Sequence, residues 1–197
     1  MATTNRGKLD EIVGLLAGLR VEILTLSGYP DLVAPEETGT TFADNARQKA
    51  LYYAQRTGLP TVAEDSGLEI DALGGAPGVY SARFGGVDRP YPERFALIEA
   101  QLDGVPDAAR TARFVCALAL VEHDRVRFEA QGCVEGLIAR EPRGAGGFGY
   151  DPIFFYPPFG STLAEAGNRK SAVSHRGEAF GRLRGFLERE VDARSAP

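Results

Sequence analysis

The chain has 197 residues, of which 44% are hydrophobic and 25% charged, the balance of an ordinary globular protein, and this excludes a disordered or collagen-like polymer. Its 22 Lys and Arg stand against 27 Asp and Glu, a net charge of -5, so no general basic field exists to hold a polymeric nucleic acid by counterion release. The longest apolar run, Phe114 to Val121, is far shorter than the ~20 residues a membrane-spanning helix needs, and no transmembrane segment or membrane partner is expected.

In chain order, Leu9, Ile12, Val13, Leu16 and Leu19 recur at helical spacing after Asn5, which predicts a first helix capped by Asn5 and running to about Arg20. Thr41, with Asp44 three residues on, predicts a second helix that stops near Gly58 because Pro60 follows. Thr61 to Ala63 and Leu68 to Asp71 read as short extended segments flanking an acidic turn, EDSG. After Pro92, the residues Phe95, Ile98 and Leu102 predict a third helix ending at Gly104.

Phe114 to Val121 is apolar on both faces, as a central strand is. Beyond a turn at His123 to Arg125, the residues Val126, Phe128, Ala130 and Val134 alternate with polar ones, which predicts a hairpin whose second strand is half exposed. Phe180, Leu183, Leu187 and Val191 predict a last amphipathic helix, with Ala193 to Pro197 as a frayed tail. No repeat or linker divides the chain, so residues 1–197 are expected to form one domain. The opening MATTNRGKLDE has neither a secretory nor an amphipathic leader pattern, and the cytoplasm is the expected location. Cys116 and Cys133 lack CxxC spacing, and His123 and His175 form no HExxH pattern, so neither a zinc site nor a disulfide framework is expected.

Four segments carry candidate chemistry. Thr3, Thr4, Asn5, Arg6, Gly7 and Lys8 put hydroxyls, an amide, a glycine and two cations beside a helix start, where free N–H groups and the helix dipole favour anions. The spacing is not that of a P-loop, and the same residues would also make a capped surface helix with solvated cations. Glu36 and Glu37, with Glu64 and Asp65 beside Ser66, are acids without a neighbouring His or Cys; they suit Mg²⁺, which binds through one or two carboxylates plus substrate phosphates, or else form solvated turns.

The third segment, Gly144 to Asp151, contains GxGxxG but precedes a strand-like stretch instead of opening a helix, so the dinucleotide fingerprint fails. Its Phe148 and Tyr150 offer an aromatic face for a nucleobase, unless they return to the core. The fourth, Lys170 to Gly177, is cationic and rich in hydroxyls, and by itself it is equally a solvated basic turn. Together the four supply what a nucleoside triphosphate requires.

The motifs TTNRGK, EETGTTFADNA, AEDSGLEIDALGGAPGVYSARF, GGFGYDPIF and KSAVSHRG, in this order, resemble those of the inosine/xanthosine triphosphate pyrophosphatases of the Ham1-like type, over nearly the whole chain. The resemblance implies an elongated two-lobed α/β domain with a long central mixed sheet, a nucleotide site in the cleft between lobes, and a homodimer. It implies Mg²⁺-dependent hydrolysis of ITP, dITP, XTP and dXTP to the monophosphate and pyrophosphate. By position, Thr3 to Lys8 would bind the phosphates, and Glu36 and Asp65 the Mg²⁺, with Asp65 also the general base. Ser66, Phe148, Gly149, Tyr150, Asp151, Lys170, His175 and Arg176 would contact the substrate.

The chain departs from the family's pattern in starting at Met1-Ala2-Thr3, which implies a shortened first strand or a start upstream, and in carrying Glu64 where many members have Asp. The Maf-like pyrophosphatases are the nearest alternative enzyme class, and the SHR and GGFGYD motifs favour the purine reading. A nucleotide-binding regulator without turnover is the alternative outside enzymes, against which the presence of Glu36, Asp65 and Lys8 argues.

Overall fold

The computed structural model describes residues 1–3 and 5–195, with Arg6, Ser171, Ala172, Arg194 and Ser195 described by their backbone alone. Its helices are α1 (Arg6–Leu15), α2 (Phe42–Thr57), α3 (Tyr91–Gln101) and α4 (His175–Ser195), with short 3-10 turns between elements. Five strands, β1 (Thr61–Ile70), β2 (Thr111–Glu122), β3 (Arg125–Ile138), β4 (Phe154–Tyr156) and β5 (Ser161–Thr162), form one sheet in the order β1-β2-β3-β4-β5.

Most boundaries follow local chemistry. Thr41 caps α2 by accepting the Asp44 N–H, and Gly58 ends it in the left-handed region, as the sequence predicts. α1 stops at Leu15, earlier than expected, because the chain turns back at Gly18, whose φ of +82° only glycine adopts without strain. The two-residue turn of the β2–β3 hairpin puts His123 and Asp124 at positive φ, the twist that matches paired strands. α4 runs on to Ser195, past the point at which a frayed tail was expected, while Ala196 and Pro197 lie outside the described residues.

Two expectations are corrected. The EDSG stretch is no turn: β1 is continuous through it, and its residues from Thr61 to Asp65 are buried beside the apolar β2. The sheet is also antiparallel in its described strands, not mixed. The hairpin fixes β2 against β3, and the registers Leu137↔Phe155 and Phe155↔Thr162 fix β3, β4 and β5. Thr111 donates to Asp71 while Cys116 faces Glu64, so β1 and β2 also run in opposite senses. Ahead of β1, the Ala2 N–H donates to the Val62 carbonyl (2.9 Å).

The chain divides into two compact units, one of Met1–Asp65, Cys116–Gly132 and His175–Pro197, the other of Ser66–Val115 and Cys133–Ser174. In the first, strand alternation sorts the core. Val62, Cys116, Leu118 and Leu120 pack with Ile12 and Leu16 of α1 and with Ala179, Phe180 and Leu183 of α4. Ala63, Ala119 and Val121, one residue out of step, pack with Ala50, Tyr53 and Ala54 of α2. In the second unit, Leu68, Ile70 and Phe114 share a core with Phe95, Ile98 and Leu102 of α3 and with Phe154 and Leu163.

Gly132 lets β3 approach the start of α4 within the first unit: a Cβ there would lie 2.1 Å from the His175 carbonyl oxygen and 2.8 Å from the Ala179 nitrogen. Both neighbours are backbone atoms, so relief requires moving the helix. Gly132→Ala is therefore expected to destabilise the protein by about 1–3 kcal/mol, the range of overpacked sites, measured as a lower thermal midpoint. An unchanged midpoint would show that α4 is not seated on this strand.

Candidate functional site

The period of two along β1 sends its adjacent acids to opposite faces. Glu64 joins the α1 and α4 face with Val62, and Asp65 joins the α2 face with Ala63. They cannot act as one carboxylate pair, contrary to the grouping suggested by the sequence.

Glu64 is a compensated buried charge. Its side chain is 1% exposed; Lys8 Nζ lies 2.7 Å from Oε1 and a guanidinium nitrogen of Arg176 3.7 Å from Oε2. Arg176, also 1% exposed, donates to Glu11 at 2.7 Å. A chain of alternating charges thus joins α1, β1 and the first turn of α4. Burial works against the Glu64 carboxylate, but Lys8 and Arg176 overcome it and hold the group far below the usual carboxylate range. The same charge, together with burial, raises the Cys116 thiol.

Asp65 has a different environment. Its Oδ2 accepts from Asn45 Nδ2 at 2.9 Å, and Lys49 Nζ stands 3.2 Å from Oδ1 while reaching Glu37 at 2.7 Å. Asn45 and Lys49 are four residues apart on α2, hence on the same helical face. Asn45 is itself fixed, because its Oδ1 accepts the Gly39 N–H at 2.8 Å. Burial pushes the Asp65 carboxyl above its ordinary value, and Lys49 and Asn45 only partly offset this. Lys49 is held raised by Asp65 and Glu37 against its own burial.

The predicted phosphate segment opens α1. Asn5 caps the helix, its Oδ1 accepting the Lys8 N–H at 3.1 Å, and its own N–H donates to Thr3 Oγ1 at 3.3 Å. The first-turn N–H groups of Arg6 and Gly7 have no acceptor within the helix, as at any helix start. Thr4 and the Arg6 side chain lie outside the described residues. Lys8 is not a solvated cation, the alternative its segment left open, since its side chain is 19% exposed and bound to Glu64.

Glu36 is exposed on the irregular segment before α2, and among the described residues its side chain shows no hydrogen bond or ion pair; the neighbouring Glu37 is the one engaged near Asp65. Among the described residues no group of three or more His, Cys, Asp or Glu is arranged to hold a metal alone. A divalent cation completed by substrate phosphates needs only one or two protein carboxylates, and a carboxyl that burial makes reluctant to ionise is a fitting place for one.

In the second unit, the loop before β4 behaves as neither a free turn nor a simple aromatic platform. Tyr150 is buried, donates to the Ser81 carbonyl at 2.8 Å and packs edge-on against Tyr91, and burial pushes its phenol up to about 12. Phe148 remains partly exposed. Asp151 is buried and accepts the Phe148 N–H at 2.7 Å and the Lys170 ammonium at 2.6 Å. Gly149 has φ +66° and Ser66 is half buried next to Asp65 in β1. His175 is buried at the start of α4.

A largely apolar cavity of about 340 Å³ in the first unit, lined by Leu16, Leu24, Leu59, Val62, Leu183 and Phe186 among others, contains none of the predicted site residues. Its lining has no cluster of cations for a triphosphate. Among the described residues no helix is long and apolar enough to cross a membrane.

The fold is that of an α/β protein whose first unit carries a capped helix start and buried acids compensated by cations. The chain belongs to the Ham1 family, whose model matches residues 1–186. It is 46% identical over 188 residues to the dITP/XTP pyrophosphatase of Geobacter sulfurreducens, covering 95% of this chain and 94% of that one, and 51% identical over 184 residues to that of Gloeobacter violaceus, covering 93% and 90%. Among solved structures, a HAM1 protein from Coxiella burnetii superposes with a TM-score of 0.89 at 42% identity, covering 95% of this chain and 96% of that one. The nucleoside-triphosphatase / dITP/XTP pyrophosphatase of Mycobacterium abscessus gives 0.77 at 43% identity, covering 92% and 96%.

Glu64→Gln should cost about 3 kcal/mol at neutral pH in metal-free protein, since it removes one member of a buried charge set. The folded carboxyl titrates below the unfolded one, so its stabilisation is complete above the ordinary glutamate pKa of about 4.3 and is lost as pH falls toward the folded value. Melting both proteins in chelator from pH 7 to pH 3 should show the gap closing on acidification; a gap that is constant or widens would contradict the assignment.

Proposed function

We infer that the chain is a nucleoside-triphosphate pyrophosphatase that hydrolyses the non-standard purine triphosphates ITP, dITP, XTP and dXTP to the monophosphate and pyrophosphate, clearing the pool of bases that would otherwise enter DNA and RNA. The observation that carries the reading is the Asp65 carboxyl, buried on the α2 face between Asn45 and Lys49, in a chain matched along nearly its whole length by dITP/XTP pyrophosphatases.

In this reading residues 1–197 act as one catalytic domain and the substrate is divided along its length. The phosphates engage the α1 start, with Thr3, Thr4, Asn5, Arg6, Gly7 and Lys8, and the base engages the loop of Phe148, Gly149, Tyr150 and Asp151. Ser66, the next residue of β1, is a further substrate contact in this reading. Lys49 belongs with these residues, because an ammonium shared by two carboxylates is available to shift toward an incoming phosphate.

The cation is Mg²⁺, held by Asp65 and Glu36; when bound it supplies neutralisation of phosphate oxygens and of charge developing on the leaving pyrophosphate. Asp65 orients the attacking water or accepts its proton, a task suited to a carboxyl whose pKa is raised. Asn45 fixes which carboxylate oxygen is presented. Arg176 serves the site by holding Glu64, and through it Lys8, since its guanidinium is engaged by two carboxylates. His175 acts from the same first turn of α4.

Selection of oxopurines has a simple basis. A donor aimed at O6 pairs with hypoxanthine or xanthine but meets the amino group of adenine donor to donor, leaving buried groups unpaired. Exclusion of guanine must instead act at its 2-amino group. The working form is a homodimer, and a substrate drawn from the free nucleotide pool sets the cytoplasm as its place of action.

Pyrophosphate release should be fast with ITP, dITP and XTP, slow with ATP and GTP, and abolished by a chelator. Orthophosphate as the first product, or no turnover of any of these, would refute the reading. Asp65→Asn should cut kcat by about 10² to 10⁴ while the melting midpoint stays near that of the parent protein, since an amide is a poor Mg²⁺ ligand and a poor base.

A further inference from the structure

The loop that carries Phe148 is set from inside the protein. Asp151 fills the hollow of the turn so closely that a Cβ on Gly147, which sits at φ +70°, would lie 2.1 Å from its Oδ2. The same oxygen accepts the Phe148 N–H at 2.7 Å and the Lys170 ammonium at 2.6 Å. Lys170 Nζ also stands 4.7 Å from the centroid of the Phe148 ring, a cation–π contact. The two charged side chains are only 17% and 4% exposed, while Phe148 keeps 37% of its surface open.

We propose that Lys170 and Asp151 form a clamp that presents the Phe148 ring to the purine, which makes Lys170 a positioning residue of the base end and not a phosphate ligand. The proposal rests on reading this loop as the base-binding segment. Its logic is electrostatic and entropic. The Lys170 ammonium is bound to the same Asp151 oxygen that accepts the Phe148 N–H, so its place is set by the loop that carries the ring. An ammonium over one face of a ring draws π density toward itself, so a purine stacked on the other face meets a less negative surface. A loop pinned by Asp151 before the substrate arrives also spares the ordering that binding would otherwise require.

The decisive comparison is between a substrate with a base and an inhibitor without one. Lys170→Met keeps the stem and removes the charge. It should raise KM for dITP about tenfold while kcat stays within about threefold, as expected when a stacking contact is weakened. The inhibition constant of inorganic tripolyphosphate, which has no base, should stay within about twofold, and Lys170→Arg should recover most of the affinity for dITP. In a Phe148→Ala background, adding Lys170→Met should cost less than about twofold more, because the clamp then has nothing to present.

A tripolyphosphate constant that rises in step with KM would overturn the proposal, as would losses that multiply in the double variant. Amide hydrogen exchange over residues 144–151 without nucleotide gives a readout independent of turnover. It should speed up in both Lys170→Met and Asp151→Asn, and unchanged exchange would refute the clamp. Failure of the unsubstituted protein to hydrolyse dITP would count against the pyrophosphatase reading instead, while the exchange result would still decide the clamp.

Discussion

A carboxylate with 1% of its side chain exposed must be compensated where it stands, and Glu64 is compensated from both ends of the chain. Lys8 reaches it from α1 and Arg176 from the first turn of α4, with Glu11 returning a negative charge to Arg176. Because an isolated buried ion is far less favourable than a satisfied one, the two helices are tied in position and register to β1. Through that tie the N-terminal turn of α1, the part of the first unit suited to anions, is fixed relative to the strand that carries Asp65.

The neighbouring acids of β1 show how strand geometry divides chemical labour. Glu64 and Asp65 carry the same functional group one residue apart, yet the pleat gives them separate surroundings. One faces two cations and is ionised across the ordinary pH range, so it serves as a structural anion. The other faces an amide, one shared ammonium and another carboxylate, and burial leaves its carboxyl above the ordinary value. Burial acts against both carboxylates, and the cations around each decide the outcome.

Helix limits were legible where a local signal decides them, as with Thr41 and Gly58 around α2, and the β2–β3 hairpin was legible from eight apolar residues followed by strict alternation. The EDSG stretch misled because turn chemistry is local, whereas its extended path is imposed by β2 alongside it. At the candidate site, the sequence pointed to segments and not to partners. Lys49 and Asn45 went unnoticed, although two polar residues on the face of α2 that also carries Ala46, Ala50 and Tyr53 are a signal: burial of a polar group implies something for it to bind. Lys8 and Arg176 were visible as cations near an anion site, but their shared attachment to Glu64 joins opposite ends of the chain, and no local pattern encodes that.

That separation has a consequence for the birth of the protein. Chains emerge from the ribosome N-terminus first, at roughly 5–20 residues per second. α1 and β1 are therefore exposed while α4, which begins at His175, is still unsynthesised or within the exit tunnel. Until Arg176 arrives, Glu64 has only Lys8 to satisfy it, and α1 lacks the Phe180 and Leu183 surface against which it packs. The α1 turn thus settles only once α4 is made, although its residues precede α4 by most of the chain, and a chain truncated ahead of α4 would retain every residue of the α1 turn without the partners that hold it.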